Sequence, residues 1–362
     1  MNTTDRLNRL REVMVERELD AMLVSSPENR RYMSGFAGSA GYLFIGRSEA
    51  VLATDFRYIE QAGRQAPDFR VERLGTTLSW LPEIAAAAGA RRVGFEAQDM
   101  TVDTHAAFVK AIEEAESSDG LTLVETKDLV DALRATKYEE EMTLLTRAIE
   151  ITDAAFEEVS RAVRPGMTEA QVAWDLERTM RELGAEGLAF DIIVGAGPNG
   201  ALPHHLADDT VIRDGQPVVI DMGARYEGYC ADLTRTIFVG EPDDTFAKVY
   251  GTVLRAQLAA EEKVRPGMTG GDTDAISRDI IAEAGYGDSF GHSLGHGVGL
   301  AVHENPRVGP RAKDVIEDGM AFTIEPGIYL PEWGGVRIED IVVMEDGRAR
   351  VLSKATKLDL GA

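Results

Sequence analysis

The sequence predicts a two-domain α/β (α+β) protein, with a small α/β domain over residues 1–130 and a larger, internally duplicated domain over residues 131–362. Three observations predict it. Strand-like and helix-like segments alternate from the start to about residue 125. A hexapeptide, Val163-Arg-Pro-Gly-Met-Thr168, recurs as Val264-Arg-Pro-Gly-Met-Thr269. After each copy the chain runs through a helix, a glycine-rich segment ending in histidine, and a hairpin that carries carboxylates, which marks a duplication.

In the first domain, residues 3–19 read as a helix with Thr3 or Thr4 as its cap and Leu7, Leu10 and Met14 on one face. Short strands are expected at 21–25, 42–45, 50–53, 92–95 and 121–124, and helices at 56–65, 80–88 and 102–115. The junction falls at Arg134–Lys137. A long helix follows, with Met142, Leu145, Ile149, Phe156 and Val159 as its buried stripe. Helices at 169–183 and 273–284 come after the two repeats, and the segments 190–204 and 290–303 end in His204 and His303.

One hairpin carries Asp221 and Asp232. A turn at Tyr226-Glu227, beside Gly228, sets these two aspartates opposite one another on a single face. Glu325 and Glu339 flank residues 331–335 in the same manner. Two duplicated halves, each offering a facing carboxylate pair, converge on one site.

Composition narrows the function. The formal charge of −24 argues against nucleic acid and anionic membrane as partners. A single cysteine, Cys230, precludes an intramolecular disulfide and fits a reducing compartment. No apolar run approaches the ~18 residues of a membrane helix, and the N-terminal residues show no secretory signal. A cytoplasmic location is expected.

Four carboxylates directed at one place cannot all ionise without compensating positive charge. Either some stay protonated, as in an acid–base pair, or cations sit among them. With His296 added, the donor set suits two divalent ions, manganese foremost, with cobalt, zinc or iron also possible. Such a pair polarises a carbonyl and activates water, which is hydrolytic chemistry. His204 and His303 close equivalent segments and reach the cleft from opposite sides. His205 and His292 read equally as supports of the site or as structural residues, and His105 as a surface residue. Cys230 shares a strand face with Asp232 and reads as small core filler. Gly195-Ala-Gly197-Pro-Asn-Gly200 matches a dinucleotide fingerprint formally. That fingerprint must open a helix, which Pro198 and Pro203 prevent.

Asp221, Asp232, His296, Glu325 and Glu339 resemble, in order, type and spacing, the five metal ligands of the methionine aminopeptidase, aminopeptidase P and prolidase family. Residues 29–36 and 54–58 resemble its creatinase-type N-terminal domain, which methionine aminopeptidases lack. The resemblance implies the duplicated pita-bread fold and a homodimer. It implies that Asp221 chelates one metal, Asp232 and Glu339 bridge both, and His296 with Glu325 completes the second. Glu325 would also shuttle the proton. His204 and His303 would bind substrate and stabilise the tetrahedral intermediate, with His292 and Arg337 supporting the site; Arg337 shares a strand face with Glu339 and would orient it. The implied reaction is hydrolysis of the Xaa–Pro bond at a free N-terminus. Arg307 stands where a prolidase carries an arginine for the substrate's C-terminal carboxylate, a task suited to guanidinium. It favours a dipeptidase over an aminopeptidase P acting on longer peptides. A non-catalytic binding protein on this fold would have lost ligands, and none is missing.

Overall fold

The computed structural model describes residues 3–116 and 120–360. The chain divides into two compact units, Met1–Arg134 and Ala135–Ala362.

The first unit is built on strands β1 (Ala21–Val24), β2 (Tyr42–Gly46), β3 (Ala50–Thr54), β4 (Arg70–Arg73), β5 (Arg92–Glu96) and β6 (Thr122–Thr126). They form one mixed sheet in the order β4-β3-β2-β1-β5-β6. The central β1–β2 and β2–β3 pairs are antiparallel and the outer pairs parallel. Helices α1 (Thr3–Glu16), α2 (Pro27–Ser34), α3 (Ile59–Gln65), α4 (Trp80–Ala87), α5 (Val102–Glu114) and α6 (Leu129–Ala135) accompany it.

Leu7, Leu10 and Met14 are buried as the periodicity requires, but Thr3 and Thr4 lie inside α1 instead of capping it. Helix α3 starts three residues later than its pattern suggests, because Asp55 accepts the Arg57 N–H and holds a turn ahead of it. Helix α2 has no apolar stripe and escapes a periodicity search. Its ends are nevertheless signalled, by Ser26 capping the Asn29 N–H, Pro27 in the first turn and Gly35 at φ +80°. Within it, Arg30 is buried and donates to the carbonyls of Ser25, Gly38 and Gly41, which fixes the loop that follows. His105 is half-buried with its ring 4.8 Å from that of Phe95, and so is not the free surface residue expected.

The second unit opens with α7 (Glu139–Ser160), α8 (Glu169–Glu182), β7 (Gly187–Leu188) and β8 (Ile193–Ala196). Strands β9 (Gln216–Met222), β10 (Ala224–Tyr226), β11 (Tyr229–Cys230) and β12 (Leu233–Val239) follow. Then come α9 (Asp244–Lys263), α10 (Gly270–Glu283), β13 (Gly295–Gly297), β14 (Glu304–Val308), β15 (Ala321–Ile324), β16 (Gly327–Leu330), β17 (Gly334–Arg337), β18 (Asp340–Glu345) and β19 (Arg348–Val351). Leu145, Ile149, Phe156 and Val159 of α7 are buried, whereas Met142 is half-exposed.

The sequence repeat is a structural one. Gly166 and Gly267 adopt φ of +95° and +89°, and their N–H groups donate to the carbonyls of Ile212 and Ile316. Thr168 and Thr269 then cap α8 and α10. Each half has its own apolar core, around Val172, Leu176 and Ile220 in one and Val253, Phe322 and Val342 in the other. The halves are joined strand to strand. The Thr236 hydroxyl bonds both the N–H and the carbonyl of Arg337, and the Glu339 N–H donates to the Thr234 carbonyl. Among the described residues no helix is long and apolar enough to cross a membrane.

The C-terminal segment ties α7 to α9. Its N–H groups at Lys354, Thr356 and Leu358 donate to Asp153, Glu157 and the Tyr250 hydroxyl. Burial pushes the Asp153 carboxyl up to about 6, against the backbone N–H groups that favour its charged form. A carboxyl raised on folding binds its proton more tightly in the native state. Its contribution is therefore intact below about pH 4 and is lost as the pH rises to about 6. Asp153→Asn retains the acceptor for Lys354 and removes the charge. It is expected to raise stability at pH 8 by about 1–3 kcal/mol and to leave it unchanged near pH 4, as measured by urea unfolding at the two pH values. Equal shifts at both would contradict the assignment.

Candidate active site

Asp221 is delivered by β9 and Asp232 by the link between β11 and β12. Glu227 and Gly228, at φ 44° and 82°, form the two-residue turn of this hairpin. The turn is centred one residue beyond the expected position, so the register slides by two. Asp221 stands opposite Thr234, not opposite Asp232. Parity keeps Asp232 on the same face, and both aspartates line one cavity. In the other half, the pairs Ile324↔Asp340 and Gly327↔Arg337 bracket Glu325 and Glu339, which places those two directly across from each other.

His296 sits between two glycines for a steric reason. A Cβ at Gly295 would lie 2.0 Å from the Thr323 carbonyl oxygen, and one at Gly297 2.0 Å from that of Asn305. Only glycine lets β13 run so close to both neighbours. The His296 Nδ1–H donates to the Gly297 carbonyl at 3.0 Å. That leaves the Nε2 lone pair facing Glu325 Oε1 at 3.3 Å and Asp232 Oδ2 at 3.6 Å.

The cavity, of about 410 Å³, is lined by all five of these residues together with His204, His292, His303 and Arg337. Phe190, Ile193, Pro203, Leu206 and Val302 supply an apolar side. His204 and His303 are exposed, and the His303 ring lies edge-on to that of His296 at 4.3 Å. Arg307 is the one predicted residue that does not line this cavity. It pairs with His296 across β13 and β14 but lines an adjoining cavity of about 430 Å³, with Ser293 common to both.

Three residues that sequence reasoning passed over hold the site together. Tyr329 accepts from Arg337 Nη1 at 2.8 Å and lies 2.9 Å from His292 Nε2, while the His292 Nδ1–H donates to the Ser293 carbonyl. Thr234 donates to Glu339 Oε2 at 2.7 Å and accepts from Arg337 Nε at 3.0 Å. Thr323 donates to Glu325 Oε1 at 3.2 Å and accepts the His296 N–H. Arg337 itself pairs with Asp221, and among the described residues its hydrogen-bonded link to Glu339 runs through Thr234. A threonine two residues from each carboxylate, Asp232-x-Thr234 and Thr323-x-Glu325, was the available signal.

Burial first, and repulsion from the other carboxylates second, push Asp232 and Glu339 well above the usual carboxylate range. Burial also raises Asp221, against the pull of Arg337. Burial would raise Glu325 too, but His296 outweighs it and holds that carboxyl low. Three of the four carboxyls thus hold their protons more tightly than usual, a balance that cations placed among them would reverse.

A family model for metallopeptidase family M24 matches residues 143–346, and one for the creatinase/prolidase N-terminal domain matches residues 6–136. The chain belongs to metallopeptidase family M24. It is similar to a Xaa-Pro dipeptidase structure from Bacillus anthracis, with a TM-score of 0.94 and 41% identity over 99% of both chains. It is 36% identical to a Xaa-Pro dipeptidase of Pyrococcus furiosus over 98% of this chain and 99% of that protein. An X-Pro aminopeptidase structure from Thermotoga maritima matches with a TM-score of 0.86 and 37% identity, covering 95% of this chain and 98% of that one. The architecture is accordingly a creatinase-type domain followed by an M24 pita-bread domain, and the activity class is metal-dependent hydrolysis.

The residues present fit the metal centre that an M24 peptidase needs. Asp221 Oδ1 is buried with no hydrogen-bond partner among the described residues. A buried carboxylate oxygen so placed is suited to a cation. Ligand atoms of Asp232, His296 and Glu339 lie within 4.8 Å of one another, and the His296 lone pair is aimed among them. Glu169, His205 and Asp208 also cluster, but both Glu169 oxygens already accept hydrogen bonds, so that group is structural. His205 is thereby placed outside the cavity. Cys230 is buried and lies outside it too. The GxGxxG stretch leads into a 3₁₀ turn, Gly197–Ala201, and opens no α-helix.

Thr234→Val removes a donor to Glu339 and an acceptor for Arg337 while conserving shape. Outer hydrogen bonds of this kind are worth roughly 10–100-fold in metal affinity. Calorimetric titration with Mn²⁺ should show a loss of that order, and affinity equal to the parent protein would refute the role given to Thr234.

Proposed function

We propose that this M24 peptidase is a Xaa-Pro dipeptidase: a homodimer in the cytoplasm that uses two divalent ions, manganese foremost. The observation that carries the proposal is the convergence of Asp221, Asp232, His296, Glu325 and Glu339 on one cavity with an apolar side. These five residues hold the ions. When bound, the ions supply an activated water and a Lewis acid for the scissile carbonyl.

The rest is done by the chain. Glu325, the carboxyl held lowest of the set, accepts the proton of the attacking water and returns it to the leaving nitrogen of proline. His204 and His303, exposed in the cavity lining, hold the substrate and donate to the carbonyl oxygen as it gains charge. His292 and Arg337 act through Tyr329 and Asp221, keeping the ligand cluster in place. Phe190, Ile193, Leu206 and Val302 form walls against which a proline ring packs. Arg307, across Ser293, receives the dipeptide's C-terminal carboxylate.

One observation favours a second reading. Arg307 lies outside the cavity that holds the ligands, which leaves room for an aminopeptidase P that accepts longer peptides.

The deciding experiment compares a Xaa-Pro dipeptide with a Xaa-Pro-Xaa tripeptide on Mn²⁺-loaded enzyme and on an Arg307→Ala variant. A dipeptidase anchored by Arg307 cleaves the dipeptide preferentially, and the variant loses that activity chiefly through a higher KM. Preference for the tripeptide, indifferent to Arg307, establishes the aminopeptidase. Chelation should abolish hydrolysis, and added Mn²⁺ should restore it. Hydrolysis that survives complete metal removal would overturn the mechanism.

A further inference from the structure

The two exposed histidines of the cavity share a local design. Each is followed by a residue that turns inward onto a buried ionisable side chain. After His204 comes His205, whose Nε2–H donates to Glu169 Oε2 at 2.6 Å; the Glu169 side chain is fully buried. After His303 comes Glu304, whose Oε2 meets Lys137 Nζ at 3.2 Å, with side-chain exposures of 1% and 3%. In both cases the buried partner comes from a distant element: Glu169 from the first turn of α8, and Lys137 from the residue preceding the cap of α7.

Neither pair is an isolated contact. The Glu169 carboxylate also accepts from the N–H groups of Ala196 and Asp208 and from the Asn199 amide, so four donors from one loop meet a single buried anion. Glu304 also accepts the Ala301 N–H at 2.8 Å. Such groups are costly to bury and costlier to leave unpaired. They specify one loop conformation rather than add net stability. What that conformation fixes is the backbone that carries each histidine: His204 lies in the turn closed by the His205 N–H on the Leu202 carbonyl, and His303 in the bend just before β14.

We infer that Glu169 and Lys137 are positioning residues for the hydrolysis, acting through His205 and Glu304 to aim His204 and His303 into the cavity. The inference rests on the substrate role proposed above for those two histidines. It adds that their aim is set from behind by matched inward anchors, one in each half of the duplication.

The test is a double-mutant cycle on the Mn²⁺-loaded, full-length enzyme with a Xaa-Pro dipeptide. His204→Ala, His205→Ala and the double variant are compared, with His205→Gln as the conservative change, since its amide N–H can still donate to Glu169. Displacing a reacting group by about 1 Å costs on the order of 100-fold. His205→Ala is therefore expected to lower kcat/KM by about 10- to 100-fold, with Mn²⁺ affinity within twofold of the parent. His205→Gln should recover most of that loss. The double variant should be no worse than His204→Ala alone, because an anchor has nothing left to aim. Lys137→Met should behave in the same way relative to His303→Ala. Losses that multiply in the double variants, or a His205→Ala enzyme as active as the parent, overturn the inference. If His204→Ala itself has full activity, the substrate role of His204 is what fails. Should His205→Ala not fold, the inference stands or falls on His205→Gln and on the Lys137→Met cycle.

Discussion

The structure is governed by the cost of gathering buried like charge. Two carboxylates about 4 Å apart repel by roughly 4 kcal/mol at an effective dielectric constant of 20, and this cleft collects four. The chain offers partial relief. Arg337 faces Asp221, His296 faces Glu325, and the hydroxyls of Thr234 and Thr323 donate to Glu339 and Glu325. Among the described residues, Asp221 Oδ1 receives no donor, and Asp232 is pushed up by burial and by its carboxylate neighbours. The deficit is local and is directed at one point. A divalent cation at that point would relieve it.

Duplication gives the geometry and asymmetry gives the chemistry. The same turn, with glycine at positive φ and a threonine cap, begins each half. The residue after the cap is Glu169 in one half and Gly270 in the other. A Cβ at Gly270 would lie 2.0 Å from the Arg307 carbonyl oxygen, because β14 runs against that turn. A carboxylate cannot occupy that position. Its anchoring task passes to Asp274, one turn further along α10, which accepts the Leu294 N–H and pairs with Arg278; Arg278 in turn holds the carbonyls of Phe290 and His292. Equivalent loops are thus fixed by non-equivalent residues. Each half can then present different ligands, two aspartates from one and a histidine with two glutamates from the other.

The repeat and the alternation of elements were legible because both are properties of the chain taken locally. The convergence of these residues on one cavity was legible because histidine and carboxylates recur at hairpin spacing. The register of the first hairpin was not. It depends on whether Glu227 or Tyr226 enters the left-handed region, and glutamate at φ 44° is an unusual choice that no propensity favours. Tyr329 was hidden for another reason. A tyrosine among Gly-Ile-Tyr-Leu reads as core, and it is indeed buried; only the meeting of its hydroxyl with Arg337 and His292 gives it a role. Arg307 shows the limit of parity. Strand pairing sets it beside His296, yet parity cannot tell which cavity a long side chain will line.

The protonation of the histidines completes the electrostatic argument. Burial lowers His292 and His303, and for His303 the charge of His296 and His204 lowers it further. Both are therefore shifted toward the neutral form. A fixed imidazolium in their place would face the same carboxylates as the metal ions and compete with them for that charge. A neutral imidazole can still donate one hydrogen bond to an oxygen that gains charge, without weakening the hold on the ions. At the glycine-flanked His296, with its lone pair directed at the carboxylates, burial is outweighed by Glu325, which favours positive charge. It lies where a cation belongs. Within the cavity, His296 faces the carboxylates while His204, His292 and His303 line it beside them.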